Sequence, residues 1–313
     1  MATYLVTGGC GFIGSHLCKA LMSRGDAVHV LDDLSTGSLS NPPAAATFIQ
    51  GDVADPQLVL QAITGVDGCF HLAAIASVEL SNRNWLRTHR TNLTGAITVF
   101  DAAIAAGRIP IVYASSAAVY GDCPSLPLRE TSEKLPLSPY GADKFGCELH
   151  AQVAGKVHRL SSVGLRLFNV YGPGQNPKSP YSGVISIFCD KIRHGEPIEV
   201  FGNGSQTRDF IFVADVVTAL LRAMDARLPA ASVFNLCTGR GTSVLELARI
   251  IASLCRQTLE IRFKPQREGE IAHSRGDPTA ARRVLRLGRS TELRVGLAAT
   301  LAWLGGRSTQ GND

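Results

Sequence analysis

Short runs of apolar and β-branched residues recur along the first half of the chain, and each is followed by a stretch with helical spacing. Tyr4-Leu5-Val6 and residues 27–31, 47–49, 68–72, 111–114 and 163–166 read as strands. Between them, Phe12 to Arg24, Gln57 to Ile63, Asn92 to Ala106 and Tyr140 to Leu160 place their apolar residues at helical intervals. This alternation predicts an α/β fold, a Rossmann-like doubly wound parallel sheet with helices on both faces. After Asn169 the pattern loosens into Gly172-Pro173-Gly174-Gln175-Asn176-Pro177, one helix at Val184 to Arg193, and short elements. Residues 1–169 are expected to form a nucleotide-binding domain and 170–313 a smaller substrate-binding region. Within 210–238, a helix at Val216 to Asp225 and a strand at Val233 to Cys237 send the chain back to the main sheet, so the two parts interleave.

Composition narrows the class. With 313 residues, 45% hydrophobic and 18% charged, the chain is too apolar for disorder and long enough for a sizeable core. No apolar run approaches the roughly 18 residues that a membrane helix needs. Met1 to Thr7 run straight into a strand pattern with no charged leader, so the expected location is the cytoplasm. Cys10, Cys18, Cys69, Cys123, Cys147, Cys189, Cys237 and Cys255 form no C-x-x-C pair and mostly sit in apolar runs. Neither a metal site nor a disulfide framework is expected. A net charge of +5 suits an anionic partner, but the Lys and Arg are dispersed, which favours a phosphorylated small molecule over nucleic acid.

Chemistry enters at Thr7-Gly8-Gly9-Cys10-Gly11-Phe12-Ile13-Gly14, between the first strand and the first helix. Gly8 permits a sharp turn, Gly11 lets the backbone approach a pyrophosphate, and Gly14 lets helix pack on sheet, while the helix N-terminus favours negative charge. The second strand ends in Asp32-Asp33, where a carboxylate can hold a ribose diol. With no Arg nearby to receive a 2′-phosphate, the expected cofactor is NAD rather than NADP.

The Gly-x-x-Gly-x-x-Gly spacing resembles the extended branch of the short-chain dehydrogenase/reductase superfamily. Its other landmarks follow in order: Gly51-Asp52-Val53, His71-Leu72-Ala73-Ala74, and Asn92 in the central helix. The resemblance implies a cofactor site made by Gly8, Gly11, Phe12, Ile13, Gly14, Asp32, Asp52, Val53, Leu72, Ala73, Ala74 and Asn92, completed by Tyr140 and Lys144.

Tyr140 and Lys144 stand one helical turn apart after Ser138-Pro139, so both project from one helix face near its start. An ammonium close to a phenol favours the phenolate, which could take a proton from a sugar hydroxyl as hydride leaves the same carbon. Ser115 and Ser116 end a strand at the sheet edge where ligands bind. The family pattern of a hydroxyl, three residues and then Tyr-Gly maps to Ser116, with Ser115 a near neighbour. The related 4,6-dehydratases and UDP-glucuronate decarboxylases carry acids after this hydroxyl; here stand Ala117 and Ala118, which cannot do acid/base work.

The second half resembles the UDP-hexose 4-epimerases. In Arg166-Leu167-Phe168-Asn169, the resemblance assigns Asn169 to the diphosphate. It assigns Phe201 to the uracil, Arg208 and Arg267 to phosphate, and Glu270 to the uridine ribose. Arg282, Arg283 and Arg286 are expected to form a solvated helix face. Ser274 falls where a bulky Tyr in the family closes the hexose pocket, so its small side chain leaves room for a 2-acetamido group.

The expected function is a 4-epimerase with bound NAD, working through a transient 4-keto sugar. It would interconvert UDP-GlcNAc with UDP-GalNAc and UDP-Glc with UDP-Gal. Restriction to UDP-glucose/galactose, action on UDP-glucuronate, and an NAD(H)-sensing regulator without catalysis are the alternatives. The helices at Asn92 to Ala106 and from Tyr140 resemble the pair through which the family forms homodimers.

Overall fold

The computed structural model describes residues 1–177, 183–266 and 271–308. In the first half, β1 (Thr3–Thr7), α1 (Phe12–Ser23), β2 (Ala27–Asp32), β3 (Thr47–Gln50), α2 (Pro56–Ile63) and β4 (Gly68–His71) follow one another. Then come α3 (Val78–Arg83), α4 (Trp85–His89), a π turn at Arg90–Thr94, α5 (Gly95–Ala105), β5 (Ile111–Ser116), a 3-10 turn at Ala117–Tyr120, α6 (Pro139–His158) and β6 (Ser162–Leu167). The chain continues through β7 (Asn169–Tyr171), α7 (Val184–Arg193), β8 (Ile198–Phe201), β9 (Thr207–Arg208), β10 (Phe210–Phe212) and α8 (Val213–Asp225). It closes with β11 (Ser232–Leu236), β12 (Thr242–Ser243), α9 (Val244–Cys255), β13 (Ile261–Lys264), α10 (Thr279–Val284) and α11 (Leu293–Ser308).

Seven strands make one parallel sheet in the order β11-β6-β5-β4-β1-β2-β3. The chain runs outward from β1 through β2 to β3, then returns to place β4 on the other side of β1. That reversal opens a crevice at the carboxyl ends of β1 and β4, the place where open α/β sheets bind ligands. Alternation along each strand feeds two cores. Leu5, Ile111 and Tyr113 pack with α2, α5 and α6, whereas Val6, Val112 and Leu165 pack with α1 and α8. A third cluster, containing Phe188, Ile198, Leu247 and Leu297, joins α7, β8, α9 and α11 into the part that borders the sheet's edge.

Several elements depart from the sequence reading. Helices α3 and α4 occupy a stretch where none was expected, because Ser77 and the exposed Trp85 and Leu86 give it no clean apolar stripe. The helix expected from Asn92 begins instead as the π turn. In the second half α9 and α11 span 12 and 16 residues, longer than the short elements anticipated. Among the described residues no helix is long and apolar enough to cross a membrane.

Candidate active site

The crevice between β1 and β4 is lined by Gly8, Gly11, Asp32, Asp52, Val53, Leu72, Ala73 and Ala74, together with Asp33, Ser35, Thr36, Ile75 and Thr91. Gly8 has φ +74°, and a Cβ there would stand 2.7 Å from the Ala73 amide nitrogen. A Cβ on Gly14 would run into the Gly8 carbonyl oxygen, so α1 starts hard against the loop. Gly11 supplies no capping side chain, and the first-turn amides of α1 keep their capacity for phosphate oxygens. This cradle, which side chains would fill, fits a dinucleotide pyrophosphate.

Asp32 ends β2 with its carboxylate accepting from the Cys10 amide at 2.9 Å and the Leu34 amide at 2.9 Å. Burial raises its carboxyl above the usual carboxylate range, while those two amides act in the opposite direction. Asp52 is more open, accepting from the Ala54 amide and pairing with Arg90 at 3.1 Å. At the end of β4, His71 Nδ1 shares a 2.8 Å hydrogen bond with the Thr7 hydroxyl, which also accepts from the Ala73 amide. Burial, with the Lys144 charge second, pushes the His71 imidazole down to about 3. It is therefore neutral.

The side chains of three expected cofactor residues lie off the crevice lining. Asn92 is fully buried and does not line the crevice. Its side-chain oxygen accepts from the Ile75 amide at 2.8 Å and its nitrogen donates to the Ile75 carbonyl, so it shapes the loop after β4. Phe12 turns its ring edge-on to His16 and toward Gly174, and Ile13 packs on the core, so neither side chain faces the crevice.

Ser138 caps α6 by accepting from the Gly141 amide at 3.1 Å, and Pro139 sets its first turn. The helix thus starts beside the carboxyl end of β5 and carries Tyr140 and Lys144 there. Lys144 is buried; its Nζ donates to the Ala114 carbonyl at 2.9 Å and lies 6.0 Å from the Tyr140 ring centroid. Ser116 is half-buried at the end of β5 and accepts from the Ala118 amide at 3.1 Å. Ser115 points the opposite way and donates to Glu148 Oε1 at 2.5 Å. Of the two serines, Ser115 is the one engaged by a buried carboxylate, and Ser116 ends β5 at the carboxyl edge of the sheet.

Sequence reasoning missed the network behind Ser115. Arg166 donates to both Glu148 oxygens, at 2.9 and 2.6 Å, and to the Tyr120 hydroxyl at 2.7 Å. Tyr120 in turn donates to Asn235 Oδ1 at 2.6 Å.

On the substrate side, Asn169 is exposed and opens β7, whose partner strand β10 pairs Phe210 with it. Asp209 is fully buried and accepts from the Thr238, Gly239 and Gly276 amides and the Thr238 hydroxyl. That one carboxylate ties together the segments flanking Arg208 and Ser274. Arg208 Nη1 donates to the Thr207 carbonyl at 2.9 Å, and the Ser274 amide donates to that same carbonyl at 3.1 Å. Phe201 ends β8, beside Gln206, which donates to the Phe201 carbonyl. Arg267 and Glu270 lie outside the described residues. Arg282 is not a solvated residue like Arg283 and Arg286; it is half-buried and donates to the Thr238 carbonyl and the Ser290 hydroxyl, because α10 lies against β11.

A doubly wound sheet, a phosphate cradle at its switch point and a Tyr/Lys pair at the same edge define a dinucleotide-dependent α/β enzyme. The profile of the NAD dependent epimerase/dehydratase family matches residues 4–237. The UDP-glucose 4-epimerase of Mycolicibacterium smegmatis is 36% identical over 311 residues, spanning 97% of this chain and 99% of that protein. The crystal structure of Thermotoga maritima UDP-glucose 4-epimerase with UDP-glucose superposes with a TM-score of 0.93 at 34% identity, covering 98% of this chain and 99% of that one. UDP-N-acetylglucosamine 4-epimerase from Methanobrevibacter ruminantium M1, in complex with UDP-N-acetylmuramic acid, gives 0.92 at 32% identity over 98% and 99%. The chain belongs to the NAD-dependent epimerase/dehydratase family. Within it the protein stands with the UDP-sugar 4-epimerases, and its cofactor is NAD.

Proposed function

We propose that this enzyme interconverts UDP-N-acetylglucosamine and UDP-N-acetylgalactosamine, and UDP-glucose and UDP-galactose with them. The observation that carries the wider substrate range is Ser274, a small half-buried residue whose amide is fixed to the same carbonyl as Arg208. No bulky side chain occupies that position.

Bound NAD supplies a reversible hydride acceptor for C4 of the sugar. Tyr140 takes the O4 proton and later returns it, Ser116 hydrogen-bonds the reacting oxygen, and Lys144, bonded to the Ala114 carbonyl, holds the start of α6 beside β5. Gly8, Gly11 and the start of α1 hold the cofactor pyrophosphate, and Asp32 its adenosine ribose. Asn169, Arg208 and Arg267 anchor the UDP diphosphate, Glu270 the uridine ribose, and Phe201 the base. Anchored by UDP rather than by sugar contacts, the 4-keto sugar is free to turn and present its other face. Ala117 and Ala118 offer no acid or base beside Ser116, which disfavours elimination of water.

A homodimer completes the reading. Leu149, Val153 and Val157 form an exposed apolar stripe on α6, the latter two 54% and 66% exposed, with Ile97 exposed on the neighbouring α5. Equilibrium product analysis with UDP-GlcNAc and UDP-Glc side by side tests the substrate reading. Epimers of both are expected. Turnover of UDP-Glc alone would reduce the enzyme to the narrower type, and turnover of neither would revive the sensor reading.

A further inference from the structure

Residues 140, 144 and 148 recur every fourth position along α6 and so share one helix face. Tyr140 and Lys144 belong to the proposed chemistry; Glu148 does not. It is nevertheless 1% exposed and held by three hydrogen bonds, from Ser115 at 2.5 Å and from Arg166 at 2.9 and 2.6 Å. Those partners lie at one level of the sheet, since Ser115 on β5 is in register with Arg166 on β6, and Arg166 with Asn235 on β11. Tyr120 closes the row by accepting from Arg166 and donating to Asn235. One residue further along β5 is Ser116.

Resting on the assignment of Tyr140 as acid/base, we propose that Glu148, through Ser115, is a positioning residue that fixes α6 on β5 and so sets the Tyr140 phenol against the Ser116 hydroxyl. Otherwise α6 meets β5 through the single bond from Lys144 to the Ala114 carbonyl and through the packing of Cys147 and Ala151 with Ile111 and Tyr113, which is non-directional. Glu148 grips two strands at once. Eight residues of helix separate it from Tyr140, a lever of about 12 Å. A tilt of about 5° at Glu148 therefore moves the phenol by about 1 Å along that lever. Displacements of that size cost up to ~100-fold in rate. A buried ion pair adds little net stability over apolar packing, so its polar identity is better explained by the register it enforces.

Glu148→Ala or Glu148→Gln would leave the Arg166 charge unpaired in the core, so Ser115→Ala, which removes one bond, is the working variant, with Ser115→Thr as the hydroxyl-retaining control. NAD content and thermal midpoint are measured first, then kcat and KM with UDP-glucose, with Tyr140→Phe in parallel. Ser115→Ala should bind NAD as the parent does and keep its midpoint and, within twofold, its KM, while kcat falls about tenfold. Ser115→Thr should restore kcat. The proposal is overturned if Ser115→Ala keeps its kcat, loses activity through KM, or loses its cofactor or fold, and equally if Ser115→Thr fails to restore turnover. An active Tyr140→Phe would instead sink the acid/base assignment itself. An inactive Tyr140→Phe beside a fully active Ser115→Ala would remove only the positioning role.

Discussion

The Lys144 ammonium stands 6.0 Å from the centroid of the Tyr140 ring, one turn away on the same helix face. Its hydrogen bond goes to the backbone of β5, 2.9 Å from the Ala114 carbonyl oxygen. In the proposed chemistry the two residues divide the work: Tyr140 moves the proton, and Lys144 fastens the start of α6 to β5.

Tyr140→Phe removes the acid/base oxygen and almost no volume. Turnover should fall by ~10²–10⁴-fold, the usual worth of a general acid/base step. NAD content and UDP binding by calorimetry should stay near parental values. A rate close to the parent's would exclude Tyr140 as the base.

In the proposed pocket, Ser274→Tyr fills the space an acetamido group needs. Overpacking a fitted site costs typically ~1–3 kcal/mol, and ~1.4 kcal/mol is tenfold. Activity on UDP-GlcNAc should drop at least tenfold while UDP-glucose turnover persists. Equal effects on both substrates would show that Ser274 does not face the C2 substituent.

Cofactor released on denaturing freshly purified protein should be NAD(H), because the Asp32 carboxylate repels a 2′-phosphate. Asp32→Ala should purify with less nucleotide. Finding mainly NADP(H) in the parent would overturn the ribose argument.

His71 makes stability depend on pH. Its folded value lies near 3 and its unfolded value near 6.5. Only the unfolded chain takes up the proton between them, so the contribution is complete above ~6.5 and is lost as pH falls toward ~3. From pH 7 to pH 5 the loss is about 2 kcal/mol. In denaturant melts His71→Gln should lose less stability over that interval than the parent. Parallel pH curves would show that His71 is not held neutral.

Charged residues on the apolar stripe of α6 should separate subunits. Val153→Glu with Val157→Glu is expected to convert a dimer to a monomer by light scattering at micromolar concentration, with no loss of secondary structure. A monomeric parent would contradict the dimer.

The phosphate loop and the Tyr140/Lys144 pair were legible because their signals are local: glycines at fixed spacing after a strand, and two residues one turn apart after a Ser-Pro cap. Helix α9 has equally local signals, with Ser243 capping and Val244, Leu247, Ala248 and Ile251 on one face. Glu148, Tyr120, Asn235 and Asp209 were not legible. Each acquires its role from partners 18 to 115 positions away, a pairing that only the sheet order creates. Asn92 was found by its motif, but its bonds to Ile75 were not legible, since that partner cannot be inferred from helical spacing.

The π turn around Asn92 gives the helix one residue more than regular winding would use. Each residue of a regular helix advances the face by about 100°, from 3.6 residues per turn. Deleting one residue between Arg90 and Thr94 would therefore not shorten the structure harmlessly. It would leave α5 gripped by the sheet and swing the exposed Trp85 and Leu86 about a quarter of a turn round the axis, or else turn the Asn92 amide away from Ile75. Either way the wall of the cofactor crevice and the outer surface of the molecule are geared to one another. Length variation at this point is thus a coupled change in ligand site and surface, and a lineage could alter one only by resetting the other.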